Sequence, residues 1–135
     1  MKKHLLALAY GLLCLGVTII LASCKKNTNP PTTRTIQYVL YTKQDFSNNF
    51  DIIRFRLSMA SGSHTLFDSS LAPMTISAIP DSLHALVFRK NVPSGYEQAK
   101  LVVGFFYSID NVGSSWFLDS SIAGQSFKKV EYNFQ

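Results

Sequence analysis

The sequence predicts an all-β protein, an antiparallel β-sandwich of immunoglobulin-like architecture with seven or eight short strands. Alternating apolar and polar residues recur through most of the chain, and turn residues separate these segments every ~10–15 residues. Beyond the amino-terminal segment, no helical periodicity is sustained over the length of an ordinary helix. A small closed β-barrel is the alternative, because strand number alone does not separate the two architectures. The tryptophan-between-cysteines signature of true immunoglobulin domains is missing.

The strand segments follow one another with short turns between them. They are 34–42, 51–59, 64–69, 74–79, 83–90, 99–110, 116–120 and 127–134. Segment 51–59 alternates most regularly, with the apolar residues Ile53, Phe55, Leu57 and Met59 on one face. The run 101–109 is apolar on both faces, which predicts a central strand.

The amino-terminal segment has the organisation of a secretory signal. Lys2 and Lys3 precede an apolar stretch over 5–22, and small residues follow it. The stretch is close to the roughly 18 apolar residues of a spanning helix, so an uncleaved membrane anchor is the alternative.

The four residues Leu21-Ala22-Ser23-Cys24 resemble the lipobox of bacterial lipoproteins. This resemblance implies cleavage between Ser23 and Cys24 and acylation of the Cys24 sulfur by diacylglycerol with palmitate-type chains. One acyl chain binds a membrane only marginally, whereas two or three anchor a protein stably. The start of the chain is similar to small lipoproteins common in Bacteroidota, and the remainder resembles β-sandwich domains of such proteins. No motif in the β-sandwich part is specific enough to infer a function from this resemblance.

The sequence thus divides into a signal peptide (1–23), a lipidated cysteine with a flexible linker (24–33), and a β-sandwich domain (34–135). The linker is polar and contains two prolines, so an extended form reaches on the order of 25–30 Å. Lys25 and Lys26 replace the acidic run that marks surface export in the resembling proteins. The resemblance therefore implies a lipid anchor in the outer membrane, facing the periplasm.

Charge and cysteine content exclude several classes of function. The net charge is +5, and removal of Lys2 and Lys3 leaves 11 basic and 8 acidic side chains. Such a mild excess without a basic aromatic patch does not predict nucleic-acid binding. Cys14 would leave with the signal peptide and Cys24 would carry lipid, so the domain has no disulfide and no thiol.

No catalytic constellation is recognisable in the sequence. His64 and His84 lack zinc-binding spacing, and the serines lie in turn sequences that do not match a nucleophile elbow. Eight scattered acids do not indicate a glycosidase pair. We therefore expect a non-enzymatic protein with no cofactor.

The loop 45–51 contains the densest group of oxygen donors. Asp45, Asn48 and Asp51 are candidate calcium ligands, because hard cations prefer carboxylate and amide oxygens. These residue types also favour turns, since they accept hydrogen bonds from nearby backbone groups. The turn interpretation is favoured, because the spacing matches no known calcium loop.

Trp116 is the candidate ligand-binding residue. An exposed tryptophan can stack on a sugar ring or anchor a partner protein. The favoured interpretation is nevertheless packing in the core or at an edge, since Trp116 or its neighbour Phe117 is expected to fill the sandwich.

Two functions follow from these observations. The first is a membrane-tethered module that binds or scaffolds another envelope protein, with membrane lipid contacted through acylated Cys24. The alternative is a module that binds glycan or peptidoglycan fragments through exposed aromatic residues. Burial or exposure of Trp116 discriminates between them.

Overall fold

A computed structural model describes residues 33–135, and these form eight β-strands with one short 3-10 helix. The strands are β1 (Thr35–Thr42), β2 (Ile52–Ser61), β3 (His64–Ser70), β4 (Met74–Thr75), β5 (Leu86–Asn91), β6 (Leu101–Ile109), β7 (Gly113–Ser121) and β8 (Phe127–Phe134), and the 3-10 helix is Ile76–Ala78. The predicted signal peptide, Cys14, Cys24 and nearly all of the linker lie outside the described residues. Within 33–135, no helix combines the length and apolar character required to cross a membrane.

The strands form two separate sheets, which confirms the predicted sandwich and excludes the closed barrel. The smaller sheet has the order β5-β1-β8, and the larger has the order β3-β2-β6-β7 with β4 paired to β2. All pairings are antiparallel except that between β1 and β8, the first and last strands, which is parallel. This parallel pair is the one departure from the predicted antiparallel pattern, and the pairing of strands distant in sequence leaves no mark in local sequence.

The core lies between the sheets and is built from the predicted inward faces. The alternation in β2 is confirmed, because its four predicted apolar residues are all buried. Leu101, Val103 and Phe105 of β6 are fully buried opposite them. Tyr38 of β1 stacks edge-on against Phe105 with ring centroids 5.7 Å apart and donates a hydrogen bond to the Ser58 carbonyl. Burial of these side chains, at about 25 cal/mol per Å² of apolar surface, is the main term that stabilises the sandwich.

Two predicted strands have different extents in the structure. Segment 74–79 continues as a strand only over Met74–Thr75, and Ile76–Ala78 forms the 3-10 turn that buries Ile76 and leads to buried Ile79. Segment 116–120 is instead a nine-residue strand, Gly113–Ser121. The Gly-Ser-Ser start of β7 was expected to be a turn, but it pairs fully with the end of β6. Tertiary pairing overrides the local preference there.

On each side of the sandwich, a lysine of the smaller sheet reaches a residue of the larger sheet. On one side, the Lys90 ammonium of β5 lies 4.9 Å from the ring centre of Phe67 on β3. On the other side, Lys128 of β8 lies 2.6 Å from the Asp119 carboxylate of β7. In both cases the charged end of the lysine reaches a partner on the opposite sheet.

Candidate functional site

The outer face of the larger sheet carries the candidate site. Strand register places Arg56 of β2, Phe106 of β6 and Trp116 of β7 side by side in one row across the sheet. The adjacent row holds Arg54, Ser108 and Ser114. We call these six residues the Trp116 face.

Trp116 points away from the core. Its side chain is 65% exposed, whereas the next residue, Phe117, points inward and stacks on Tyr132 at a centroid distance of 5.0 Å. The alternation of β7 therefore assigns Phe117 to the core and Trp116 to the outer face. Of the two residues expected to fill the sandwich, Phe117 does so and Trp116 does not. Trp116 lies instead on an edge strand.

Phe106 and Arg56 extend the aromatic surface beside Trp116. Phe106 lies directly opposite Trp116 in the register, where paired Cβ atoms are about 4.5–5.5 Å apart. The Arg56 guanidinium lies over the Phe106 ring, 4.9 Å from its centre. A guanidinium at this distance is attracted by the ring quadrupole, which fixes both side chains.

Both arginines of the Trp116 face have acidic partners. Arg54 pairs with Asp110 at the turn after β6, and Arg56 Nε lies 3.5 Å from Asp68 Oδ1 on β3. All four side chains are roughly half exposed, so these ion pairs contribute little to stability. Their effect at the site is to hold the guanidinium N–H donors in place and to leave the face without net charge.

Gly104 sets the distance between the two strands that carry the aromatic residues. A Cβ atom at Gly104 would come within 2.0 Å of the Phe117 carbonyl oxygen and 2.9 Å of the Leu118 Cα. Only glycine permits β7 to approach β6 this closely, which explains a glycine in the middle of a central strand.

A surface cavity of about 390 Å³ lies on this face. Its lining includes Arg54, Arg56, Phe106 and Trp116, together with the hydroxyl-bearing residues Ser70, Ser108, Ser114 and Ser115. Its volume lies at the lower end of the roughly 300–1,000 Å³ of small-molecule sites. The cavity therefore offers an aromatic surface, guanidinium donors, and hydroxyl groups that both donate and accept hydrogen bonds.

The calcium candidates lie at one end of the sandwich, where the Asp45 side chain stabilises a turn. Asp45 Oδ1 accepts a hydrogen bond from the Ser47 backbone N–H at 3.0 Å, which lowers the pKa of Asp45. Asn49 Oδ1 accepts one from the Asp51 N–H at 3.0 Å, and Asn48 is exposed. Among residues 33–135, no group of three or more acidic, histidine or cysteine side chains is placed to hold a metal ion.

A second cavity, of about 510 Å³, opens at the same end, between the loop after β1 and the segment after the 3-10 helix. Its two carboxylates, Asp45 and Asp81, are engaged locally. Asp81 Oδ1 accepts hydrogen bonds from the Leu83 and His84 backbone N–H groups and lies 2.9 Å from His84 Nδ1. These bonds lower the pKa of Asp81, with the His84 side chain as the largest cause. The cavity contains one aromatic side chain, Phe46, and therefore lacks the paired aromatic surface of the Trp116 face.

Two further aromatic residues, Tyr41 and Tyr96, do not lie beside Trp116. Tyr41 lies on β1 of the smaller sheet and is almost completely buried, and Tyr96 packs against the core from the loop after β5. His64 and His84 are both exposed, at the start of β3 and beside Asp81 respectively.

Arg54, Arg56 and Phe106 were not recognised as site residues from the sequence. The signal was present in the apolar residues on both faces of β6, which predicted a central strand. That prediction is confirmed, because β6 lies between β2 and β7. The structure covers only one face, so Phe106 is partly exposed and Val102 is 42% exposed. Comparison with protein-family models and with curated proteins finds no match to this chain.

Proposed function

We propose that the protein is a non-enzymatic, membrane-tethered β-sandwich that binds an uncharged saccharide on the Trp116 face. The observation that carries the proposal is Trp116 itself, the single tryptophan of the chain, standing 65% exposed beside Phe106 on a regular sheet. Large exposed aromatic residues mark binding surfaces more often than scattered aliphatic ones do.

The groups around Trp116 match the chemistry of a sugar ring. A pyranose presents apolar C–H faces, which pack on aromatic rings, and a rim of hydroxyl groups, which both donate and accept hydrogen bonds. The serine hydroxyls and the guanidinium groups supply partners for that rim. A rigid sheet carries these groups, so little conformational entropy is lost on binding.

The paired charges favour an uncharged ligand over an acidic one. Asp68 and Asp110 lie beside the two arginines, so a carboxylate or phosphate on the ligand would meet acidic groups as well as basic ones. A neutral hydroxyl-rich ligand meets no such repulsion and leaves both ion pairs intact.

Titration of the full chain in detergent solution tests this proposal. The probes are oligosaccharides of glucose and of N-acetylglucosamine, with a muramyl peptide as the carboxylate-bearing comparison. Because Trp116 is the only tryptophan, its emission reports directly on the proposed site. We expect a blue shift with at least one neutral oligosaccharide and a weaker response to the muramyl peptide.

Variants separate stacking from nonspecific binding. Trp116→Ala should reduce the affinity, measured by calorimetry, about tenfold or more, and Trp116→Tyr should retain part of it. Phe127→Ala is the matched control, because Phe127 is an exposed aromatic residue on the smaller sheet. Equal affinities for the wild type and Trp116→Ala, or no binding of any neutral probe, would refute the saccharide site.

The tether is a separate part of the proposal, supported by the lipobox resemblance. We propose that Cys24 is the acylated first residue of the mature protein and holds the domain at the outer membrane on its periplasmic side. Mass spectrometry of the mature amino terminus tests this. A peptide in which unmodified Cys24 is still joined to Ser23 would exclude the lipid anchor.

A further inference from the structure

The strand directions give the sandwich two distinct ends. The start of β1, where the preceding chain enters, lies beside the start of β8 and the end of β5. In the larger sheet, the start of β6 lies beside the ends of β2 and β7, and Arg34 joins the same end of the two sheets. We call this the tether end and the opposite one the far end.

The charges of the domain separate between these two ends. Register and loop positions place six basic residues in the tether half, namely Arg34, Arg89, Lys90, Lys100, Lys128 and Lys129, against the acids Glu97 and Asp119. The far half contains five acids, Asp45, Asp51, Asp81, Asp110 and Glu131, against the bases Lys43 and Arg54. The Arg56–Asp68 pair lies between the halves. Arg34 is fully buried, and Lys128 and Lys129 are ion-paired with Asp119 and Glu131. The other three basic side chains of the tether half, Arg89, Lys90 and Lys100, are exposed. A nearly neutral domain therefore has a moderately basic end and an acidic end.

Exposed apolar side chains accompany the basic residues. Ile122, immediately after β7, is 66% exposed, and Phe127, the first residue of β8, is 46% exposed. Lys100 is also exposed and lies directly before β6 at the same end. Basic side chains mixed with exposed isoleucine and phenylalanine are the combination that binds the headgroup region of anionic membranes.

The position of residues 1–32 indicates that the partner of the tether end is a membrane. Residues 1–32 join the domain at the tether end and contain Lys25, Lys26 and the apolar stretch 5–22. Under the proposed tether, the lipid on Cys24 holds the tether end near a membrane, and a retained apolar stretch would do the same. A basic surface held close to anionic headgroups gains about fivefold in binding for each lysine near the surface.

We propose that the tether end docks on an anionic lipid surface, with Lys90, Lys100, Ile122 and Phe127 in contact with headgroups. The linker would then not hold the domain clear of the membrane, as its extended length alone would allow. The inference rests on the membrane tether of the proposed function and is independent of the saccharide site.

Tryptophan quenching by brominated lipid measures this docking. The full chain is placed in nanodiscs through its own amino-terminal segment, with brominated phosphatidylcholine alone or mixed in equal parts with phosphatidylglycerol. Ile122→Trp in a Trp116→Phe background reports the tether end, and the wild-type Trp116 reports the outer face of the sheet. We expect phosphatidylglycerol to increase quenching at position 122 and to leave Trp116 largely unquenched.

Charge variants identify the groups responsible. Lys90→Gln with Lys100→Gln, in the reporter chain, should lower the ratio of docked to undocked protein roughly 25-fold, so that more phosphatidylglycerol is needed for half-maximal quenching. Lys43→Gln, at the far end, is the matched control and should leave the curve unchanged. Circular dichroism of each variant establishes that it is folded.

Three results would overturn the proposal. The first is equal quenching at position 122 with and without phosphatidylglycerol, and the second is an equal effect of the far-end and tether-end variants. The third is stronger quenching of Trp116 than of the tether-end reporter, which would mean that the sandwich lies on its outer face. None of these results bears on oligosaccharide binding in detergent, so the two proposals fail independently.

Discussion

Arg34 is a fully buried cation that is held by uncharged oxygen atoms. Its Nη1 donates hydrogen bonds to the carbonyls of Glu97 at 3.2 Å and Ala99 at 2.5 Å. Its Nη2 donates to the Ser121 hydroxyl at 2.6 Å and the Ile122 carbonyl at 2.7 Å. Burial lowers the pKa of Arg34, yet guanidinium groups remain protonated in proteins. One side chain thereby joins the start of β1 to the loop before β6 and to the end of β7.

Replacement of Arg34 by methionine keeps the length and removes every donor. Exchange of a whole buried ion pair for apolar residues is often neutral, because both charges leave. Here the three carbonyls remain, and each loses a partner in a partly buried position. An orphaned buried acceptor costs about 1–3 kcal/mol, and relief of the guanidinium desolvation offsets part of the total. We expect Arg34→Met to lower the free energy of unfolding by about 2–4 kcal/mol.

Urea denaturation of the full chain in detergent, followed by far-ultraviolet circular dichroism, measures this loss. For a domain of this size, the corresponding fall in Tm is on the order of 10–25 °C. The stability of Arg34→Lys should lie between those of the wild type and Arg34→Met, because one ammonium group cannot reach four acceptors in different directions. Lys43→Met, an exposed cation at the far end, should change stability by less than ~0.5 kcal/mol. If Arg34→Met were as stable as this control, the four hydrogen bonds would not be holding the segments together.

Three further outcomes follow from single contacts. Gly104→Ala should destabilise the fold by about 2–4 kcal/mol in the same urea assay, because its Cβ would meet backbone atoms of β7 that cannot rotate away; an unchanged midpoint would contradict the close approach. Tyr38→Phe should cost about 1 kcal/mol, since it removes the 2.8 Å hydrogen bond to the Ser58 carbonyl, and no loss would mean that water replaces the hydroxyl. The hydrogen bond from Lys128 lowers the pKa of Asp119 below its ordinary value of 3.8, so its contribution is present above that pH and is lost as pH falls through the lowered pKa. The stability difference between the wild type and Asp119→Asn should therefore shrink on acidification, and a constant difference would show that the ion pair does not titrate with folding.

The fold was predictable wherever one strand face is apolar and the other polar. Regular alternation in 51–59 and 127–134 specified which residues enter the core, because a one-residue slip would expose the whole apolar set. Turn residues then placed most strand ends to within a few positions. The parallel pairing of β1 with β8 depends on contacts between the two ends of the domain, and no local pattern encodes it.

The candidate site was less predictable, because its orientation depends on pairing partners. Trp116 and Phe117 are adjacent and both aromatic, so composition does not decide which of them faces inward. The orientation of the two side chains is determined by the register of β7 on β6, which places Phe117 beside buried Phe105 and Trp116 beside Phe106. The separation of charge was also hidden, since basic residues from four different segments converge only when the sheets assemble.

The two proposed surfaces are compatible because they occupy perpendicular parts of the sandwich. The strands run from the tether end to the far end, so an outer sheet face stands upright when the tether end rests on a membrane. Trp116 lies five residues before the end of β7 at Ser121, which corresponds to about 17 Å along the strand. That height exceeds the roughly 5–10 Å to which interfacial apolar groups enter a bilayer. A domain docked through Ile122 and Phe127 therefore keeps the Trp116 face in water and open along the membrane plane. The same contact would limit rotation of the domain about the linker. A saccharide would then reach the Trp116 face from the side of the domain, along the membrane plane.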